Sequence, residues 1–135
     1  MDAVDGVYVL DATSRGMVDA DLPDGTGGIV FYRTENRERV VDWYRDTVGA
    51  ETWLEQPGCT ILSVGGFRFG FCDGESTETG GILTIVYDDA GGVDAMHDRV
   101  GDAADEQPHE NERYDIYQFF ASDPDGRTVE FQTFR

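Results

Sequence analysis

Two histidines and two cysteines are the only imidazoles and thiols in this chain of 135 residues. His97 and His109 are the residues that could ligate a metal or pass a proton near neutral pH. They stand twelve positions apart with no imidazole at i+4, so they do not form a zinc-type motif. His97 falls on the apolar stripe of a predicted helix and reads as a packed side chain. His109, in the polar stretch EQPHENE, reads as a surface or cavity-rim group with an acid–base role open to it. Cys59 and Cys72 flank CTILSVGGFRFGFC. Its central Gly65-Gly66 is a two-residue hairpin turn between apolar runs. That register sets Val64 against Phe67 and Cys59 directly against Cys72, at a non-hydrogen-bonded pair. The two thiols are within bridging reach, yet a reducing cytosol favours keeping them free.

Other patterns that resemble chemistry do not carry it. Gly27-Gly28 and Gly80-Gly81 precede strands rather than helices, so they lack the N-terminal amides of a phosphate loop. Asp19 to Asp24 and Asp102 to Glu112 match no calcium-loop spacing and read as solvated acidic surface. The chain carries 28 Asp and Glu against ten cations, all Arg, for a net charge of −18. Such a surface repels phosphate backbones and excludes a nucleic-acid partner. It also predicts a protein adapted to a salt-rich cytosol, where screening relieves self-repulsion. No apolar run approaches the about 20 residues of a membrane span, and the opening MDAVDGVYVLDATSRG is not a signal peptide. A cytoplasmic location without a membrane partner is the expectation.

The elements that would position these residues occur twice. GGIVFYRTENRERVVDWYRDTV (27–48) and GGILTIVYDDAGGVDAMHDRVG (80–101) align at an offset of 53, with Gly27, Gly28, Ile29 and Val40 matching Gly80, Gly81, Ile82 and Val93. Each copy reads as a buried strand followed by a helix. Asn36 and Asp89 are the expected N-caps. Val40, Trp43, Tyr44, Thr47 and Val48 form the first apolar stripe, closed by Gly49; Val93, Met96, His97 and Val100 form the second, closed by Gly101. In the hairpin, Thr60, Leu62, Val64, Phe67, Phe69 and Phe71 share the core face, leaving Cys59, Ile61, Ser63, Arg68, Gly70 and Cys72 on the other. Further strands are expected at 104–109, 114–121 and 127–134, the last two joined by the Pro124-Asp125-Gly126 turn. The plan is βαβββ twice over. Residues 1–26 lie outside it as an N-terminal extension, with Val7, Tyr8, Val9 and Leu10 as an extra strand.

The paired βαβββ plan, the WYRDTVGAE segment and the closing DPDGRTVEFQTF resemble the vicinal oxygen chelate superfamily, the glyoxalase, bleomycin-resistance and extradiol-dioxygenase group. The resemblance covers residues 27–134. It implies an α+β fold of two modules (27–74 and 80–135) in one domain (27–135), with a cavity between two curved sheets. Enzymes of the group hold a divalent metal there with His and Glu or Gln. Carried onto this chain, the first-strand ligand position falls on Ile29, its counterpart on Ile82 and the fourth-strand position near Gly70. Only the last-strand position keeps a carboxylate, Glu130. One carboxylate does not hold a catalytic metal, so no metal or other cofactor is expected. Glu130 is then a hydrogen-bonding or acid–base group of the cavity, or a plain wall residue. By alternation Arg33 shares a face with Ile29 and Phe31, and Arg68 with Gly70. Phe31, Arg33, Arg68, Gln118, Phe120 and Gln132 are the expected ligand-binding residues, the two guanidiniums suiting a carboxylate or phosphate. The resemblance thus implies a homodimer binding a small organic or aromatic acid without a metal. The alternatives are a lyase, isomerase or oxygenase with a displaced metal site or Glu130 as acid–base group, and a purely structural module. Whether the chain is an enzyme stays open at this point.

Overall fold

The computed structural model describes residues 8–11, 16–19 and 22–135. The extension contributes a backbone hairpin, β1 (Tyr8–Asp11) against β2 (Gly16–Asp19); Val7 lies outside the described residues. The remainder forms β3 (Val30–Thr34), α1 (Arg37–Trp43), β4 (Glu51–Gln56), β5 (Cys59–Val64) and β6 (Phe67–Asp73). The pattern then repeats as β7 (Ile82–Val86), α2 (Ala90–Val100), β8 (His109–Asn111), β9 (Ile116–Ser122) and β10 (Thr128–Phe134). Two four-stranded mixed sheets result, ordered β3-β6-β5-β4 and β7-β10-β9-β8. In each, the first and last strands of the module run parallel and the rest pair antiparallel. The duplicated sequence is thus a duplicated sheet, each with its own helix.

The hairpin register is as the Gly65-Gly66 turn dictates: Val64 opposes Phe67 and Cys59 opposes Cys72. Leu62, Phe69 and Phe71 are fully buried on its core face, and the matching side of the second sheet buries Leu83, Ile85, Phe119, Val129 and Phe131. One continuous core forms from these residues with Val40, Tyr44 and Val48 on the first helical segment and Val93, Met96 and Val100 on α2. Each such side chain contributes about 1.5–3 kcal/mol on leaving water. α1 widens into a π-type turn, Tyr44–Val48, before Gly49 ends it in the left-handed region (φ 87°). Asp89 caps α2 by accepting from the Gly92 amide at 3.1 Å.

Four expectations need correction. Asn36 occupies the N-cap position of α1, but its side chain does not cap. Its amide donates to Asp125 Oδ1, and its own backbone N–H is taken by Thr34 Oγ1 at 2.9 Å. The first strand, expected to be buried, begins at Val30 with Val30, Phe31 and Arg33 exposed, and Ile29 lies just outside β3. The strand expected at 104–109 is a 3-10 turn (Gly101–Ala103), a single bridge from Ala104 to Ala121, and the short β8. Between them Glu106 accepts the Phe120 amide at 3.0 Å and Asp105 accepts from Ser122, so acidic side chains take ladder positions. Pro108 has no N–H to give. Finally, Cys59 and Cys72 are joined in a disulfide, not held as free thiols.

The two modules are tied by a buried charge network at the β9–β10 turn. Arg127 and Asp123 have no exposed side-chain surface and pair at 2.6 Å. Asp123 Oδ2 also accepts from the Tyr44 hydroxyl at 2.7 Å, and Thr34 donates to Asp125 at 2.7 Å. The Arg127 guanidinium lies 4.5 Å from the Tyr32 ring centre and 5.0 Å from that of Phe71. A residue of the second module thereby sits inside the first. Desolvation, reinforced by the Asp123 carboxylate, holds the Tyr44 phenol well above its ordinary pKa.

Candidate functional site

Opposite its helix, the second sheet presents Ile82 and Thr84 from β7, Asn111 from β8, Gln118 and Phe120 from β9, and Glu130 and Gln132 from β10. A polar row crosses all four strands of this inner face. Asn111 donates to the Gln118 carbonyl oxygen at 2.7 Å, and the Gln118 amide donates to Glu130 Oε2. Thr84 donates to Glu130 Oε1 at 2.8 Å. Both carboxylate oxygens are therefore held, and the donors converge on Glu130. Gln118 and Gln132 are buried, and the Gln118 amide is fixed by packing as well as by hydrogen bonds. Around the row Ile82, Tyr114, Ile116, Phe120 and Phe134 form apolar walls of a cavity of about 400 Å³. That is a size and a polarity that suit a small organic ligand.

The first sheet's inner face differs. Phe31 lies across Gly70 so closely that a Cβ there would come within 2.8 Å of the ring. Arg33 pairs with Glu78 at 3.3 Å, and both line a smaller cavity of about 240 Å³ with Phe31, Tyr32 and Cys72. Arg68 stacks on Trp53, its guanidinium carbon 4.3 Å from the ring centre. The expected site residues thus divide. Glu130, Gln118, Phe120 and Gln132 share one cavity, Phe31 and Arg33 line another, and Arg68 is engaged elsewhere. His109 bonds Glu106 at 3.2 Å and does not line the Glu130 cavity. His97 packs edge-on against Phe119, 4.9 Å between ring centres. A groove of about 450 Å³ beside α1 is lined by charged groups that bond one another, Arg37 to Asp73 and Thr60 at 2.9 Å each.

Sequence reasoning missed Thr84, Asn111, Tyr114, Ile116 and Phe134. Thr84 had a signal, since it lies two residues beyond Ile82 on the same face of one strand. Asn111 had none, because β8 is three residues long and follows an irregular connection.

No family sequence model matches the chain, and no curated protein matches it by sequence. Solved structures do match by fold. A glyoxalase/bleomycin resistance protein/dioxygenase from Nocardioides aligns with a TM-score of 0.66 at 14% identity, over 85% of this chain and 87% of that one. A glyoxalase/bleomycin resistance protein/dioxygenase family enzyme from Burkholderia phytofirmans PsJN aligns at 0.68 and 18% identity, over 79% and 97%. This chain has the vicinal oxygen chelate fold. Lactoylglutathione lyase from Agrobacterium tumefaciens shares that fold at a TM-score of 0.65 and 20% identity, over 82% and 95%.

The metal that enzymes of this fold carry does not suit the residues present. The positions that would supply ligands hold Ile29, Ile82 and Gly70, and the space over Gly70 is filled by the Phe31 ring. The remaining carboxylate, Glu130, already accepts from Thr84 and Gln118. Among the described residues no three His, Cys, Asp or Glu side chains come together. Nor does any helix among them have the length and apolarity to cross a membrane.

Proposed function

We propose that this chain binds a small organic molecule on the Glu130 face, without a metal ion. The observation that carries the reading is the convergence of Thr84 and Gln118 on Glu130, with Asn111 holding Gln118 from behind, at the floor of an apolar cavity. A flat or aromatic portion of the ligand packs against Ile82, Phe120 and Phe134, and an N–H or O–H of the ligand donates to Glu130. A ligand that is also an acid needs a cation, which the first module's face offers in Arg33 and Arg68. A homodimer that lays the Arg-bearing face of one copy on the Glu130 face of the other would bring these groups together. Such pairing would also cover Phe31, Trp53, Ile82 and Phe134, which are 46–65% exposed in the single chain. Sedimentation in molar salt should then give a dimer, and a monomer would remove this part of the reading. The same salt should raise thermal stability, as a charge of −18 requires for a protein of a salt-rich cytosol.

The test is a thermal-shift and calorimetric screen of small aromatic acids, amides and phenols on metal-free and metal-supplemented protein. Binding that Glu130→Ala abolishes, and that chelator leaves unchanged, supports the reading. Binding that depends on added divalent metal overturns it. Among the described residues Glu130 is also the only carboxylate lining the cavity, which favours a second reading as a general base; turnover of a bound ligand that Glu130→Gln stops would establish it.

A further inference from the structure

We propose that the Cys59–Cys72 bond is a thiol–disulfide exchange site, opened through Cys72 by a small carboxylate-bearing thiol. The bond links directly opposed residues of a hairpin that already has six register pairs and a two-residue turn. The strands are held together without it. The second module shows this independently, because the pair in the same place there is Gln118 opposite Gln132, with no covalent link. A crosslink that the duplicated scaffold does without is free to open while the fold stands.

Access and electrostatics select the sulfur and the co-reactant. Both cysteines are partly buried on the inner face, and Cys72 lines the cavity of about 240 Å³ with Phe31, Tyr32, Arg33 and Glu78. Arg33 is the register partner of Cys72 on β3, and its side chain is 69% exposed. Its guanidinium stabilises a thiolate at Cys72 and attracts a carboxylate on an incoming thiol. Glu78, paired to Arg33 at 3.3 Å, offsets part of that field. In the first step the incoming thiolate attacks Cys72 Sγ. The disulfide breaks, Cys59 Sγ leaves with the electron pair and takes a proton, and a mixed disulfide remains on Cys72. A second thiolate attacks the incoming thiol's own sulfur, and Cys72 leaves as a thiolate beside Arg33. Two thiols are oxidised to their disulfide and the protein pair is reduced.

The experiment equilibrates the full native chain with mixtures of reduced and oxidised glutathione. Alkylation and intact mass read the thiols, and near-ultraviolet circular dichroism follows the fold. We expect the bond to open within the accessible ratios with the dichroism unchanged. Cys59→Ser should accumulate one glutathione on Cys72. Arg33→Gln should move the midpoint toward the disulfide by roughly threefold to tenfold. Glutathione should react faster than the cationic thiol cysteamine at equal thiolate concentration, and Arg33→Gln should remove that preference. A bond that stays closed at every ratio until the chain is denatured would overturn the proposal and leave a structural staple. Opening that ignores both Arg33→Gln and the charge of the thiol would also overturn it, as mere exposure of a disulfide.

Discussion

The two sheets repeat each other strand for strand, yet their inner faces have exchanged chemistry. Register makes the comparison exact to the residue: Phe31 beside Gly70 in the first module stands where Thr84 beside Glu130 stands in the second. One pair is a ring laid over a glycine, the other a hydroxyl donating to a carboxylate. Likewise Cys59 opposite Cys72 matches Gln118 opposite Gln132. On the helix side the corresponding residues stay apolar, Phe69 and Phe71 against Val129 and Phe131. Close packing constrains that side in both copies, whereas residues on the open side change at little cost to the core. Function in such a duplicated scaffold therefore resides on the faces that do not hold it together.

The largest effect should come from breaking the junction between the modules. Arg127→Met leaves Asp123 buried without its cation, and we expect a loss of about 3–5 kcal/mol in urea unfolding. A smaller loss would mean that the modules stand independently. Next come the phenols behind each sheet. Tyr87, packed near Phe131, is pushed up to about 12 by burial, and Tyr44 is raised by burial and by Asp123. Both native values lie above the unfolded value near 10. Stability should thus be flat with respect to these groups below pH 10 and fall as pH rises from 10 toward 12. Tyr87 accounts for about 1–2 kcal/mol of that fall, because solvent screens a phenol that is only partly buried, and Tyr87→Phe should remove its share; unchanged alkaline unfolding would contradict this.

The inner-face comparison can be tested by transplanting it. Gly70→Glu forces a side chain against the Phe31 ring and should cost about 2 kcal/mol. Phe31→Thr combined with it recreates the threonine–carboxylate pair and should recover at least half. Additive losses in the double-mutant cycle would show that the two sites are not equivalent. The smallest stability effect should be Glu130→Gln, about 1 kcal/mol, since neutral hydrogen bonds replace charge-assisted ones at a partly exposed site. Its consequence for ligand binding should be far larger than its consequence for folding.

Much of this fold was legible because local rules encode it. The Gly65-Gly66 turn fixed six cross-strand pairs, and the 53-residue offset announced the second module. Pro124-Asp125-Gly126 was readable as a turn, since proline and glycine dictate backbone angles whatever surrounds them. The guanidinium of Arg127, one residue later, was not. Its burial depends on Tyr32 and Phe71 from the other module arriving above it. β8 was misplaced because several of its neighbours' bonds come from the Asp105 and Glu106 side chains, which leave no periodic trace.

By itself the sequence determined which side of each strand a residue occupies, because side chains alternate with period two. On that basis Arg33 and Phe31 share one face of their strand, and Arg68 and Gly70 one face of theirs. It also determined the charge and the absence of the usual ligand residues. Only the tertiary structure decided which faces share a space. Alternation is a property of one strand, whereas the separation of Arg33 from Glu130 depends on how the two sheets pack over long stretches of chain.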